Sequence, residues 1–420
     1  MLPNGKTGGY ILKIVFSNAD PINVQRNVME TNLKCGIGEQ YTMQNNLLVG
    51  NGINIQFNRT DYTTQQIVLR ILKNFDKDDF PSHIIVDFPY LMKNYIGLLF
   101  LESRKIVSGE YDKFAIGSAE KESLTAFKKQ YSAQINSLRI TDIGFEDYYL
   151  IHDLVCHKTG VQNPDQFYAR EGMKVAYLYS IFNDGKLDQL YQNYPPAFTE
   201  YLMQFDSIFT TNYDSNIESA IGKNIFHIHG QFDKKSEVYI ADSFRNQLPD
   251  SPIRDIVVDE KFYYLYSNAL TTHCGAYKEF QLKQHSQANS CVEKMAAAYK
   301  TDAKVKKEID RWTCENNPLT ANLGYAIQLK AANPSLAFSD DYHFEQFKAM
   351  EGTLEILGLS PWNDFHIFET IDSAPLESCT YYFFNESECD MIKSLLPNLD
   401  VQGKLSFKSV KLFWEQFYEK

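Results

Sequence analysis

The sequence predicts an α/β protein: a doubly wound, mostly parallel sheet carrying large helical insertions. Three observations predict it. A short apolar strand, Leu47 to Val49, runs into the tight turn Gly50-Asn51-Gly52 and on into Ile53-Asn54. A second strand, Phe205 to Phe209, ends in the polar turn Thr210 to Asp214; one or two helical turns follow, then a strand from Asn224 to Ile228 that closes on His229-Gly230. A third apolar run, from Leu354, ends in Gly358-Leu359-Ser360 and then Asn363-Asp364. Strand–loop–helix spacing of this kind suits parallel strands with helices on both faces.

Taken in order, residues 1–45 are irregular and read as an N-terminal arm, with Tyr10 to Phe16 as a candidate strand and Gly36 to Gln44 as a loop. Residues 46–62, 203–235 and 350–395 would form the sheet core. Residues 63–202 read as a helical insertion, with amphipathic spacing over Thr64–Phe75, Leu91–Ser103, Ser123–Leu138, Phe145–His157, Gln166–Phe182 and Lys186–Phe205. Asp184-Gly185 is a helix-breaking turn, and Pro195-Pro196 interrupts the last segment. Residues 236–349 read as a second, mainly helical insertion. It has a loop around Pro249 and Pro252, then helices over Val258–Leu270, Ala276–Tyr299, Asp302–Cys314 and His343–Gly352. Thr380 to Glu386 is a β-rich strand ending in Asn385-Glu386. Residues 396–420 read as a C-terminal unit whose Leu405–Lys420 segment is an amphipathic helix.

Composition narrows the function classes. The net charge of −12 argues against global attraction to nucleic acid, and the densest basic stretch, Lys300 to Arg311, fits a solvated helix face. The 27 Tyr and 29 Phe suit buried helices and interfaces. Seven scattered cysteines with no C-x-x-C pair suit a reducing cytoplasm and form no recognisable structural zinc site. His152 and His157 differ by five positions, which does not align two ligands on a helix face. His273-Cys274 and His285 near Cys291 match no familiar spacing, so no metal is expected. The most apolar run, His83 to Leu101, contains Asp87, Pro89 and Lys93, which argues against a membrane span. The N-terminus has no signal-peptide pattern. A cytoplasmic protein is expected.

The strand tips carry the chemistry. Small polar residues at a strand end pack poorly, but there an open α/β sheet presents its ligand-binding groups. Two strands leaving polar tips on one sheet edge would bring Asn212 and His229 into one crevice. Simpler readings stand beside this one: Gly50-Asn51-Gly52 as an ordinary strand-to-loop turn, and His229 as a turn histidine satisfied by a carbonyl. His227 lies further back from the tip and reads as structural.

Four stretches together resemble the sirtuin superfamily: residues 46–58, 205–233, 353–365 and 380–386. Gly50-Asn51-Gly52-Ile53-Asn54 resembles the first glycine loop of sirtuins, Gly-Ala-Gly-x-Ser. Thr210-Thr211-Asn212-Tyr213-Asp214 and His229-Gly230 are similar to their Thr-x-Asn-x-Asp turn and catalytic His-Gly. Gly358-Leu359-Ser360 resembles the Gly-x-Ser loop that contacts the cofactor's phosphates and ribose, and Asn385 the Asn at a strand end that meets the adenosine ribose. The resemblance implies a Rossmann-like core that takes NAD as substrate. It implies Asn212 and His229 as catalytic residues. It implies cofactor contacts from Gly50, Asn51, Gly52, Asn54, Thr210, Thr211, Asp214, Gly358, Ser360, Asn363, Asp364 and Asn385. Two departures bear on activity: the deacetylase continuation Gly-Ile-Pro-Asp-Phe-Arg is missing after the glycine turn, and no cysteine quartet exists for the zinc module. The Gly-Asn-Gly turn and the trailing Asn363-Asp364 look like the sirtuin-like proteins of bacterial antiphage defence.

On that resemblance water is the simplest acceptor, and the expected reaction is NAD hydrolysis to nicotinamide and ADP-ribose. Cleavage builds oxocarbenium-like charge on the ribose. A neutral His229 would accept a proton from water or a ribose hydroxyl, and Asn212 would orient ribose or water without adding charge. Asp214 would support the turn, contact the nicotinamide side, or cap the following helix. The glycine turn and its helix start would receive the pyrophosphate. Analogy to the defence proteins also implies a homo-oligomer and, as partner, a HerA-type ATPase or another phage sensor. Two alternatives stay open: ADP-ribosyl transfer, cyclisation or residual deacylation in the same pocket, and an NAD- or ADP-ribose-binding sensor without turnover.

Overall fold

A computed structural model describes residues 44–58, 61–84, 89–162, 165–234, 259–271, 278, 290–316, 318–334, 342–362 and 364–418. Six strands form one sheet: β1 (Asn45–Val49), β2 (Ser207–Thr210), β3 (Phe226–His227), β4 (Gly352–Leu357), β5 (Leu376–Phe383) and β6 (Leu405–Ser409). Their order is β3-β2-β1-β4-β5-β6, and every neighbouring pair is parallel. The chain winds outward from β1 through β2 to β3, then returns to the other side of β1 for β4, β5 and β6. The winding direction therefore reverses between β1 and β4, and a crevice opens above their carboxyl ends. This is the doubly wound α/β class the sequence predicts.

β1 shows why the sheet has two buried faces. Leu47, Leu48 and Val49 are each 0% exposed. Successive side chains alternate between the faces. Leu47 and Val49 pack with Phe198, Leu202, Ile217, Phe413 and Trp414. Those residues come from the helices Pro196–Leu202, Asn216–Ile221 and Val410–Glu415. Leu48 points the other way, among Phe209, Ile356, Phe347, Ile367, Phe368 and Ile392. The near-continuous apolar run of β1 is what a central parallel strand covered on both sides requires.

The first insertion leaves after the helix Gly52–Asn58 and contains the helices Thr64–Asn74, Pro89–Val107, Ser118–Tyr131, Asp147–Thr159 and Asp165–Phe182. Each overlaps a helix expected from periodicity. The segment expected over Lys186–Phe205 divides at Pro195-Pro196 into a 3-10 turn, Leu187–Asn193, and a helix whose N1 residue is Pro196, where a missing N–H costs nothing. The insertion has its own core, including Ile71, Leu99, Ile151, Leu154 and Met173, and Tyr213 and Phe232 belong to it too. It therefore packs directly on the turn beyond β2.

Two expectations need correction, and one helix goes unpredicted. Leu405–Lys420 is not one helix: Leu405–Ser409 is the edge strand β6, paired with β5 from Cys379↔Leu405 to Phe383↔Ser409, and only Val410–Glu415 is helical. Its alternation of half-buried and exposed residues has a period of two, so the sheet extends into the region read as a C-terminal helix. Among the described residues of the expected helix Val258–Leu270, only Glu260–Tyr266 is helical, as a 3-10 segment; beyond it the chain runs alongside His229, with Leu270 N–H donating to the His229 carbonyl at 2.8 Å. The helix Pro318–Ala332 was not anticipated; with Ala303–Trp312 and the helical residues 290–301 it builds a small separate core around Ile309 and Ile327.

Several expectations lie outside the described residues: the N-terminal arm with its Tyr10–Phe16 strand and loop up to residue 43, the Pro249 and Pro252 loop, most of the Ala276–Tyr299 helix, and Cys35, His273, Cys274 and His285. Among the described residues Cys156, Cys291, Cys314, Cys379 and Cys389 are free thiols. No described helix is long and apolar enough to cross a membrane.

Candidate active site

The tips of β1 and β4 meet through glycine. Gly52 N–H donates to the Gly358 carbonyl at 2.8 Å, and Gly50 N–H to the Leu357 carbonyl at 2.9 Å. A Cβ on Gly52 would fall 2.5 Å from Gly358 Cα, and one on Gly50 2.5 Å from the Gly358 oxygen. Gly358 itself has φ +72°. Close approach of two backbones, and one left-handed residue, are what these glycines provide. The Gly50 and Gly52 amides are both engaged in these backbone bonds, and Asn51, Gly52 and Asn54 at the helix start line the cavity.

The β2 tip is tied to the same corner. Thr211 N–H donates to the Val49 carbonyl at 3.0 Å. Thr210 Oγ1 accepts from Asn212 N–H at 3.0 Å and donates to the Val49 carbonyl at 3.2 Å. The Asn212 amide donates through Nδ2 to the Gly50 carbonyl at 3.3 Å. Asp214 accepts from Asn54 Nδ2 at 2.7 Å and from Asn216 Nδ2 at 2.6 Å. Burial raises the Asp214 pKa, and those donors pull against it. Asn54 and Asp214 thus hold each other, and Ser215 is the N-cap residue of the following helix.

His227 reinforces the turn. Its Nδ1 reaches the Asn212 carbonyl at 2.9 Å and its Nε2 the Glu218 carboxylate. The Asn212 carbonyl can only accept, so Nδ1 carries a proton, and a proton on Nε2 as well would pair an imidazolium with the Glu218 carboxylate. Burial works against that charge, but the Glu218 carboxylate, the Asn212 carbonyl and the Asp214 charge together outweigh it and the pKa is raised.

His229 closes the site from β3. The next residue, Gly230, has φ +81°, and a Cβ there would meet the Asn268 oxygen at 2.3 Å; only glycine lets the chain turn away under residues 267–271. The His229 Nε2 lies 3.1 Å from His366 Nε2 and 4.0 Å from Asp364 Oδ1. Lys278 Nζ stands 3.7 Å from that same Asp364 oxygen and 2.8 Å from both Glu146 oxygens. Burial first, then the Lys278 charge, pushes the His229 pKa well below its ordinary value, so the ring is neutral at neutral pH. Burial raises Glu146 to about 7, against the pull of Lys278.

One cavity of about 1320 Å³ lies over the carboxyl edge of the sheet. Typical small-ligand pockets are roughly 300–1,000 Å³, so this one has room for a dinucleotide. Asn51, Gly52, Asn54, Thr211, Asn212, Asp214, His229, Gly358, Ser360, Asp364 and Asn385 all reach its wall. Gly50 and Thr210 stand behind it, buried, and act through their bonds to the residues in front. Asn363 lies outside the described residues. The wall continues past β5 to Phe384, Lys411 and Trp414.

Three residues at this centre escaped the sequence reading. Glu146 comes from the first insertion and Lys278 from the second; neither sits in any local pattern that marks it. His366 follows Asp364 by two positions, and that proximity was the one available signal. His229, Asp364 and His366 also form a set of potential metal ligands whose donor atoms lie within 4.8 Å of one another. No family model, curated protein or solved structure matches the chain.

Proposed function

We propose that this chain is a sirtuin-like hydrolase that cleaves the nicotinamide–ribose bond of NAD with water, releasing nicotinamide and ADP-ribose. The observation that carries the reading is the convergence of Asn212, a neutral buried His229 and the Gly52–Gly358 corner on one dinucleotide-sized cavity at the winding reversal of the sheet. All four stretches that resemble sirtuins contribute to that cavity.

Each residue then has a defined task. His229 is a base already stripped of its proton, held out of bulk water where a hydroxyl or water can hand it one. Asn212, braced by Thr210, Gly50 and His227, presents an uncharged amide that fixes the ribose or the attacking water. The Asp364 carboxylate beside His229 favours the imidazolium once it forms. Depletion of NAD by such a reaction matches the role in antiphage defence that the resemblance implies.

Product chromatography tests the reading. Wild type, Asn212→Ala and His229→Ala are incubated with NAD over a range of protein concentrations. Nicotinamide and ADP-ribose from the wild type, reduced roughly a hundredfold or more in either variant, are expected. Cyclic ADP-ribose or a modified protein would reassign the acceptor. Binding of NAD without products would favour a sensor, and no binding by folded protein would sink the cavity assignment.

A further inference from the structure

We propose that His366 is a positioning residue for His229, holding it by one shared proton in the tautomer whose other nitrogen faces the chemistry. The inference rests on the role of His229 as the base.

The geometry is that of a hydrogen bond between two rings. The Nε2 atoms are 3.1 Å apart, the ring centroids 5.3 Å apart and the planes inclined by 29°. The difference between the two separations is about two ring radii, so the nitrogens lie nearly on the line between the rings and face each other. A contact of this kind needs a proton on one nitrogen and a lone pair on the other. Both rings are buried, His229 at 2% and His366 at 1% exposure. His366 opens the helix Phe365–Ser373, stands near the Phe344 ring and is not on the cavity wall. Its link to the cavity is the bond to His229.

The direction of the bond follows from what the base must do. When His229 Nε2–H donates to His366, Nδ1 keeps the lone pair and can take a proton. The resulting imidazolium still donates through Nε2, and Asp364 Oδ1 at 4.0 Å adds a compensating charge. This is the logic of a base oriented by a third group, with a neutral ring as the orienter. Among the described residues, the charged and titratable groups around His229 include His366 and Asp364 after β4, Lys278 from the second insertion and, through Lys278, Glu146 from the first. A metal ion is the competing occupant of this cluster. Two features argue for the proton: the nitrogens face each other rather than converge on a common point, and the Lys278 ammonium stands 3.7 Å from the third donor, Asp364 Oδ1.

Full-length protein labelled with ¹⁵N-histidine tests this through long-range ¹H–¹⁵N ring correlations, assigned with His229→Gln and His366→Gln. The wild type is expected to show His229 neutral and protonated at Nε2. His366→Gln, whose amide oxygen still accepts, should keep that tautomer and most of the turnover. His366→Leu should release His229 into a tautomer mixture and lower kcat by roughly a hundredfold with KM little changed, while its melting curve shows a folded protein. An unchanged His229 tautomer in His366→Leu overturns the positioning role. So does a stoichiometric metal in the purified protein that His366→Leu loses. A wild type without turnover overturns the hydrolase reading instead; the ring spectra need no substrate and report the shared proton separately.

Discussion

Asn54 Nδ2 donates to Asp214 Oδ2 at 2.7 Å, and this bond joins the helix after β1 to the turn after β2. Both residues line the cavity, and each holds the other in place there. Asn54→Ala removes a donor from a buried carboxylate, which costs roughly 1–3 kcal/mol. Urea denaturation should show that loss, and NAD turnover should fall with it. An Asn54→Ala protein as stable as the wild type would mean the Asp214 carboxylate is satisfied without it.

Gly52→Ala should destabilise more than an ordinary exposed glycine substitution. The added carbon would sit 2.5 Å from Gly358 Cα, and backbone cannot swing aside as a side chain does. Overpacking of this kind costs roughly 1–3 kcal/mol. Gly358→Ala adds the strain of a left-handed φ of +72°. Both should lower the denaturation midpoint, with Gly358→Ala the worse. Equal stability to wild type in either would show that the two loops can separate.

The His227–Glu218 pair makes stability depend on pH in one direction. The folded pKa of His227 is raised above its ordinary value of 6.5, so the folded state holds the proton more tightly. Its contribution is full below that ordinary value and is lost as pH rises through the folded one. The stability difference between wild type and Glu218→Gln should therefore shrink from mildly acidic to mildly alkaline pH. A difference that grows with pH would contradict an imidazolium at position 227.

Lys278→Met should be among the most damaging substitutions outside the sheet. It leaves Glu146 and Asp364 facing each other with their shared cation gone, and breaking a buried pair on one side costs roughly 3–5 kcal/mol. Lower pH should recover part of that loss as Glu146, already at about 7, takes up its proton. The double variant Lys278→Met/Glu146→Leu should be more stable than Lys278→Met alone. Thermal melts across pH distinguish these outcomes.

The strand tips were legible because their signals are local. Leu47 to Val49 reads as a buried strand, and Gly50 and Gly52 as a tight turn, from residues within one short window. Asn212 and His229 lie within one strand–helix–strand unit, so their approach to one sheet edge follows from the winding rule. The reading failed where a window carries two periodicities, as at Leu405–Ser409, whose aromatic-rich continuation made a strand look like the start of a helix. It also could not show what Gly50 and Gly52 pack against, because the neighbour that needs the space, Gly358, is about three hundred positions away.

By itself the sequence determined the class of fold and the stretches that end its strands, since apolar period and turn chemistry are properties of neighbours along the chain. Only the tertiary structure decided that Glu146, Lys278, Asp364, His229 and His366 meet. They come from two insertions and two strand ends, each an unremarkable polar residue in its own window. Packing of the insertions against the β2 and β3 tips removes them from water together, and in that setting their charges and shared protons control one another.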